Sequence, residues 1–583
     1  MKTSLRALFA ITALSLTFTT LFTGCKSTSS KTSSNAGGSS NYSNEITVDV
    51  FDAPANYQGL QTGWYAKILK DKFNIQLNII APNVAGGGDQ LYQTRSAAGN
   101  LGDLIIIHKD QFTDCAKAGL LYDMTPFMTT TEKDVATTYK LGIDNLKSFI
   151  GSDKVYGIPT NSSTSSALTP SSEAGLPIVG SYLRYDYYSK IGSPKMKNTT
   201  DLLNVLKKMQ TAHPTSASGK PTYGFSFWKD WDGGAMTCAL KFCWMYGFTE
   251  GINNTSQFLN ADGTQTQNLI DDNGIYKKTL QLYYDANQMG LVDPDSSAQN
   301  YDSVLAKAKD GSILFGWCPW TTNDVFNTEA KGNANPPQGY QFVPIADEQV
   351  VVNGDNPYGS DGNVICIGAK AKDPQRLAAF INWFGSAEGM EDTQTGLKGL
   401  AWNVVNGQPA YTNYGISAVQ DNSPVPAQYG GGNYKDGMCQ LATTLGYAED
   451  TDSLTGQAYD PLTWVTTITA HTSQFDKAWQ TEFSAKNPMD YLIKNNMLQV
   501  APGNTYVPPA DSSSIAAERT PCNSAIKDAS WKMVFAKNQA EFDQIWSNLK
   551  VTLNGLGYND VVAVDKTNVA ALGKARQDAA AAK

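Results

Sequence analysis

The chain has 583 residues, a formal charge of −9, 17% charged and 41% apolar residues, long enough for two or three domains with buried cores. Its acidic balance, with no cluster of Lys and Arg, excludes nucleic acid as a partner, because phosphate binding needs a concentrated basic surface.

Residues 1–24 place Lys2 and Arg6 ahead of an apolar run from Ala7 to Phe22. This is the pattern of a secretory signal, too short and too Thr-rich for a permanent membrane span. Leu21-Phe22-Thr23-Gly24-Cys25 resembles a bacterial lipobox, with Phe22 where the usual Leu stands and Leu21 one place early. Cys25 is therefore expected to carry lipid and to become the mature N-terminus. Loss of Lys2 and Arg6 takes the charge from −9 to −11, so the expected membrane anchor is acyl chains, more than one of which makes anchoring stable. Seven Cys remain, at 115, 238, 243, 318, 366, 439 and 522, with no repeated C-x-x-C; they read as small buried hydrophobes and no zinc site is expected. Lys26 to Asn44, almost wholly Ser, Thr, Gly, Asn and Lys, reads as a flexible tether spanning roughly 25 Å root-mean-square.

Ile46, Val48 and Val50 alternate as in a strand, and Leu60, Trp64, Ile68 and Leu69 are spaced as on a helix running to Phe73. Ile75, Leu77 and Ile79 alternate again, Asp89 to Ala98 reads as a helix, and Asp103 to Ile107 as a third strand. Alternating strands and helices imply a parallel sheet with right-handed crossovers. Gly86-Gly87-Gly88 lacks both phosphate-loop spacings and reads as a flexible turn.

Further helices are expected over Asp201 to Gln210, capped by Thr199 or Thr200, and over Ile275 to Met289. Val364 to Ile367 is a short apolar run suited to a strand buried on both faces. Asp373 then supplies an N-cap and Pro374 the first helical residue, after which Leu377, Phe380, Ile381 and Phe384 form one apolar stripe. From Ala401 to about Gly456 the Gly, Asn, Pro and Tyr content predicts long loops. Asn538 and Glu541 suggest a capping box before the stripe Phe542, Ile545, Trp546 and Leu549. The tail from Ala579 to Lys583 is expected to fray.

The aromatic loops carry the functional signal. Phe225 to Gly234 holds Trp228, Trp231, Asp230 and Asp232 in a stretch that follows neither strand nor helix spacing. A sugar offers an apolar C–H face and equatorial hydroxyls, so Trp228 or Trp231 beside Asp232 suits it; either Trp could equally plug a core. Gly316-Trp317-Cys318-Pro319-Trp320 follows the strand-like Ile313 to Phe315, with Trp317 or Trp320 as the ligand-facing ring. Tyr358, Asp361 and Asn363 could reach a cleft or could be turn formers, and Trp402 with Asn403 are further candidates; Trp383 and Trp546 read as packing residues. His108, His213 and His471 stand far apart, and no H-E-x-x-H, G-x-S-x-G or EF-hand spacing occurs. Asp230 and Asp232 are too close on one loop for the roughly 5 to 9.5 Å separation of a glycosidase pair.

The segment from Asp361 to Met390, together with Ala97 to Phe127, Lys154 to Pro159 and Gln288 to Asp295, resembles the extracellular solute-binding proteins (family 1, mostly sugar binders) of bacterial ABC importers. The resemblance implies an α/β, two-lobe periplasmic-binding-protein-like fold of type II, with a hinge and an inter-lobe cleft lined by an aromatic near Trp317 and Trp320. On that reading 1–24 is the signal, 25–44 the lipidated Cys and tether, 45–158 the first part of lobe one, 159–350 the first part of lobe two, 351–465 the return to lobe one and 466–583 a helical part mainly in lobe two. It also implies a monomeric, lipid-anchored protein without cofactor or enzymatic activity that binds a carbohydrate, an oligosaccharide above all, and passes it to ABC permease subunits. The alternatives are an oligopeptide-binding lipoprotein, and a surface glycoside hydrolase or glycan-binding lipoprotein.

Overall fold

The structure, a computed structural model, describes residues 42–85, 88–171, 175–251 and 256–582. The expected signal, Cys25 and all but the end of the tether lie outside the described residues, as do Gly86, Gly87 and Lys583.

Six strands build the first sheet: β1 (Ile46–Asp52), β2 (Gly59–Leu60), β3 (Ile75–Ile80), β4 (Leu104–His108), β5 (Ile158–Pro159) and β6 (Asn363–Ile367), in the order β2-β3-β1-β4-β6-β5. β1 pairs in parallel with β3, from Ile46 opposite Ile75 to Phe51 opposite Ile80, and with β4 from Val50 opposite Leu104. The returning strand β6 is antiparallel to both neighbours, with Asn363 opposite His108 and Val364 opposite Pro159. It must run that way because the chain re-enters this sheet at the edge where β4 and β5 end. Val364 to Ile367 are fully buried, and the helix Pro374–Phe384 covers the sheet with Leu377, Phe380, Ile381 and Phe384, all buried. Its start is fixed as the sequence indicates, by the Asp373 carboxylate accepting the Arg376 N–H at 3.1 Å.

The second sheet is built on Tyr182–Arg184, which pairs antiparallel with Phe315–Gly316 and Tyr340–Phe342. It continues outward through single-residue pairings: Tyr223 with Ile313 and Phe225 with Val292, both parallel. Long helices pack behind it, with Tyr276 Oη 2.8 Å from Ser530 Oγ of the helix Ser513–Val534 and Trp546 donating to Asp272.

Two segments run between the sheets, and a third strand joins them. Residues 160–171 and 353–360 pair with each other, as Ser171 N–H to Asn353 O (2.9 Å) and Ser163 N–H to Asn356 O (3.0 Å) show. Val350–Asn353 pairs in parallel with Leu498–Ala501. The three meet at Gly354, which bridges Pro170 and donates to Ala501 O at 2.8 Å. A Cβ on Gly354 would lie 1.9 Å from Ala167 O, so only glycine fits this crossing.

Four local expectations are revised. Leu60 is not on a helix: it lies on the edge strand β2, 43% exposed, and the helix Gly63–Phe73 begins only after Thr62. The reason is a close approach, since a Cβ on Gly63 would stand 2.4 Å from Gly437 Cα. The helix Thr199–Ala212 is capped by Asn198, not by either Thr. The segment beyond Ala401 holds a hairpin, Trp402–Val405 with Gln408–Tyr411, and the helix Asn413–Asp421. The C-terminal helix Tyr558–Ala581 continues into the Ala-rich tail with Ala579 buried, so the expected fraying does not reach it. No described helix is long and apolar enough to cross a membrane.

Because a methyl group at the three-way crossing has nowhere to go, Gly354→Ala should destabilise the protein by about 1–3 kcal/mol, the usual range for overpacking. Urea unfolding midpoints at equal slope measure this, and an unchanged midpoint would show that the crossing segments yield freely.

Candidate functional site

In an open sheet, loops at the carboxyl ends of parallel strands surround the crevice where ligands bind. The crossing segments leave and enter both sheets at those ends, so the two carboxyl edges bound the region between the sheets. Each edge carries a distinct set of side chains.

The edge of the second sheet is aromatic. Trp228 lies just past the Tyr223–Phe225 pairing, and Trp317 just past Phe315–Gly316. The two rings stack at 5.8 Å with an 18° interplanar angle. Trp231 meets Trp228 edge-on at 5.2 Å, Trp320 meets Trp317 edge-on at 6.0 Å, and Tyr301 lies 4.3 Å from Trp231. Two loops some ninety residues apart, both singled out in the sequence, thus form one wall. Trp228 and Trp317 are its backing, 2% and 5% exposed, while Trp231 is 40% exposed and Trp320 and Tyr301 are half-buried. The gap between the backing pair and Phe225, Phe227, Tyr283 and Phe315 is about 10 Å³, space for one water at most.

Asp232 is not a free ligand group. Its carboxylate accepts the Thr237 N–H at 2.8 Å and the Trp531 indole N–H at 2.7 Å, and burial raises its pKa against those two donors. Asp230 accepts the Tyr301 N–H at 2.9 Å. Both carboxylates thus hold backbone or indole N–H groups of their own lobe wall.

The edge of the first sheet is polar. Asp52 ends β1; its Oδ2 accepts the Ala442 N–H at 2.9 Å, and its buried Oδ1 has no hydrogen-bond partner. Burial, reinforced by the nearby Asp361 charge, lifts its pKa from the usual 3.8 to about 7. Asp361 is itself held by Thr160 Oγ1 (3.0 Å), Thr443 Oγ1 (2.6 Å) and the Asn363 N–H (3.0 Å). Lys109, just past β4, donates to Tyr358 O at 2.7 Å, and burial lowers its pKa to about 8 although Asp361 opposes the shift. Exposed His108 contacts Asp110 at 2.9 Å. Tyr358 thus contributes its carbonyl to Lys109, and Asn363 contributes backbone to the Asp361 turn.

Trp402 belongs elsewhere. It is 1% exposed, donates to Gly396 O at 2.8 Å and packs on Trp464, while Asn403 pairs with Ala410 in the hairpin. Trp383 and Trp546 are buried. Asp52, Lys109 and Tyr301 were not picked out from the sequence. The first two had a usable signal, a polar residue directly at the end of an apolar strand; Tyr301 had none.

The family profile of the bacterial extracellular solute-binding proteins matches residues 57–391. The chain belongs to this family. Among solved structures it is similar to an HMO-binding, ABC-transporter-associated solute-binding protein from Bifidobacterium longum infantis: 14% identity, TM-score 0.57, 90% of this chain and 98% of that one covered. It is also similar to an extracellular solute-binding protein from Bifidobacterium longum subsp. infantis (14%, TM-score 0.56, 91% and 99%). A third is the S. pneumoniae ABC-transporter substrate-binding protein FusA, solved with kestose (14%, TM-score 0.54, 90% and 99%). No curated protein matches the sequence. These likenesses show the two-lobe α/β fold.

The raised pKa of Asp52 has a stability consequence with a definite sign. Between about pH 4 and pH 7 the folded protein keeps a proton that the unfolded chain releases, so this group's contribution falls as pH rises through that window and is level above it. Asp52→Asn should remove that part of the decline. Asp355, Asp392 and Glu348 are shifted in the same direction, so the difference between the variant and the native melting curves is the readout; parallel curves from pH 4 to 8 would contradict it.

Proposed function

We propose that the protein captures a carbohydrate, an oligosaccharide in particular, between the two carboxyl edges and delivers it to the membrane subunits of an ABC importer. The observation that carries this reading is the continuous wall Trp320, Trp317, Trp228, Trp231 and Tyr301, whose outer members keep accessible faces. Stacked, cross-braced indoles have few rotamers to lose, so docking a sugar ring on them costs little side-chain entropy. The opposite edge offers polar partners in the Asp361, Thr160 and Thr443 cluster, with the buried Asp52 carboxylate near it. The solved relatives named for human milk oligosaccharide and for kestose support the same ligand class.

On this reading residues 45–158 and 351–465 make the first lobe, and 159–350 with 466–583 the second. The crossings at Gly354 are the hinge, and ligand biases an open to closed equilibrium, a mode of motion general to periplasmic binding proteins. The protein works as a monomer without catalysis, tethered to the outer face of the membrane by lipid on Cys25. Cys25→Ser should then shift it from the membrane to the soluble fraction or leave it unprocessed; unchanged retention and mass would rule the anchor out.

The wall's two layers give opposite mutational signatures. Trp231→Ala should leave the unliganded melting temperature nearly unchanged and weaken oligosaccharide binding about 30-fold, from roughly 2 kcal/mol for an aromatic anchor. Trp228→Ala should instead cost about 3–5 kcal/mol of folding stability. Calorimetry and thermal melts read both. Intact affinity in Trp231→Ala would remove the platform from the proposal.

A further inference from the structure

The charge around the two edges deepens this reading and rests on it: we infer that the ligand is an uncharged glycan and that uronate-, sulfate- or sialate-bearing chains are rejected. Recognition of an anionic sugar calls for a guanidinium fork or a free ammonium facing the cleft. Among the described residues, each arginine makes its hydrogen bonds away from the two carboxyl edges. Arg95 donates to Leu101 O at 3.0 Å. Arg184 forms a bidentate ion pair with Asp186, both hydrogen bonds 2.9 Å, and donates to Gly311 O, ahead of the strand Phe315–Gly316. Arg376 binds Asp373 and the Asn44 carbonyl, at the amino edge of the first sheet. Arg519 joins Asp511 and Asp565, and Arg576 donates to Asn260 O and Thr249 Oγ1, all among the C-terminal helices and their neighbours.

The ammonium groups at the edges are outnumbered. On the first edge Lys109 has its Nζ on the Tyr358 carbonyl and stands near Asp361, with Asp110 next in the chain. On the second, Lys307 is bound to both Asp293 (2.7 Å) and Asp295 (2.9 Å). Lys229 lies over the Trp531 ring at 4.9 Å, beside Asp230 and Asp232. A carboxylate or sulfate entering this region meets like charge from both sides and no bidentate partner, whereas a hydroxyl meets acceptors it can donate to. Juxtaposed like charge is the usual means of excluding a wrong ligand.

The test is calorimetry on the full-length protein with matched pairs of equal length: galacto-oligosaccharides against oligogalacturonates, and lactose-based neutral oligosaccharides against their sialylated forms. The expected result is binding in at least one neutral arm with its acidic counterpart at least tenfold weaker, and a gap that narrows at about 1 M salt, where the screening length is roughly 3 Å. Equal or tighter binding of the acidic member overturns the inference while leaving carbohydrate capture standing, and so does a gap that salt does not narrow. Absence of heat with every glycan of both arms, neutral and acidic, overturns the carbohydrate reading and this inference with it.

Discussion

The connection between the two sheets depends on how closely three backbone segments pass at Gly354. There the 160–171 segment, the 350–360 segment and the 498–501 strand share hydrogen bonds, and the Ala167 carbonyl occupies the space a side chain would need. Because the 160–171 and 353–360 segments join the two sheets at their carboxyl edges, this contact lies where loops of both sheets come together. The aromatic loops lie far from Asp361 in sequence, and the chain returns from one set to the other through these crossings. A looser crossing would leave the same residues on two unrelated surfaces.

The wall is built in two layers, one buried and one partly exposed. Trp228 and Trp317 are buried in the core of the second lobe, so their cost of removal is a folding cost, and they hold Trp231 and Trp320 edge-on at fixed angles. The outer rings then present faces without needing to be ordered by the ligand, which is where affinity is otherwise lost. On the edge of the first sheet, Asp52 is a buried carboxylate with one oxygen unpaired, and burial lifts its pKa to about 7.

Sequence reasoning reached the elements whose causes are local. β6 and its helix were legible because burial on both faces writes an apolar run and because Asp373-Pro374 fixes a helix start without reference to anything distant. The two Trp-bearing loops stood out for the same reason: they fit no regular period. What was not legible depends on contacts far apart in the chain. Leu60 carries a helical spacing, yet the approach of Gly437 to Gly63 places the helix start beyond it. The hairpin from Trp402 to Tyr411 looked like loop because its Asn, Gly and Pro content hides two four-residue strands whose Trp is covered by Trp464. The division between backing and outer Trp residues could not be read either, since burial of Trp228 is decided by Trp317 and Tyr301 from other strands and helices. Asp232 suited a sugar by composition, but Trp531, about three hundred residues on, takes the oxygen that a hydroxyl would have used.

The central claim is that one ligand is gripped from both carboxyl edges at once. Hydrogen–deuterium exchange with and without a saturating oligosaccharide tests it most directly, because it reports every backbone segment in one experiment. The account predicts slowed exchange in 226–233 and 316–322 on the aromatic edge and, in the same sample, in 52–55, 108–111 and 359–363 on the polar edge, with the helix Gln539–Gly555 unaffected. Protection confined to one edge, or appearing only on surfaces away from both, would contradict it.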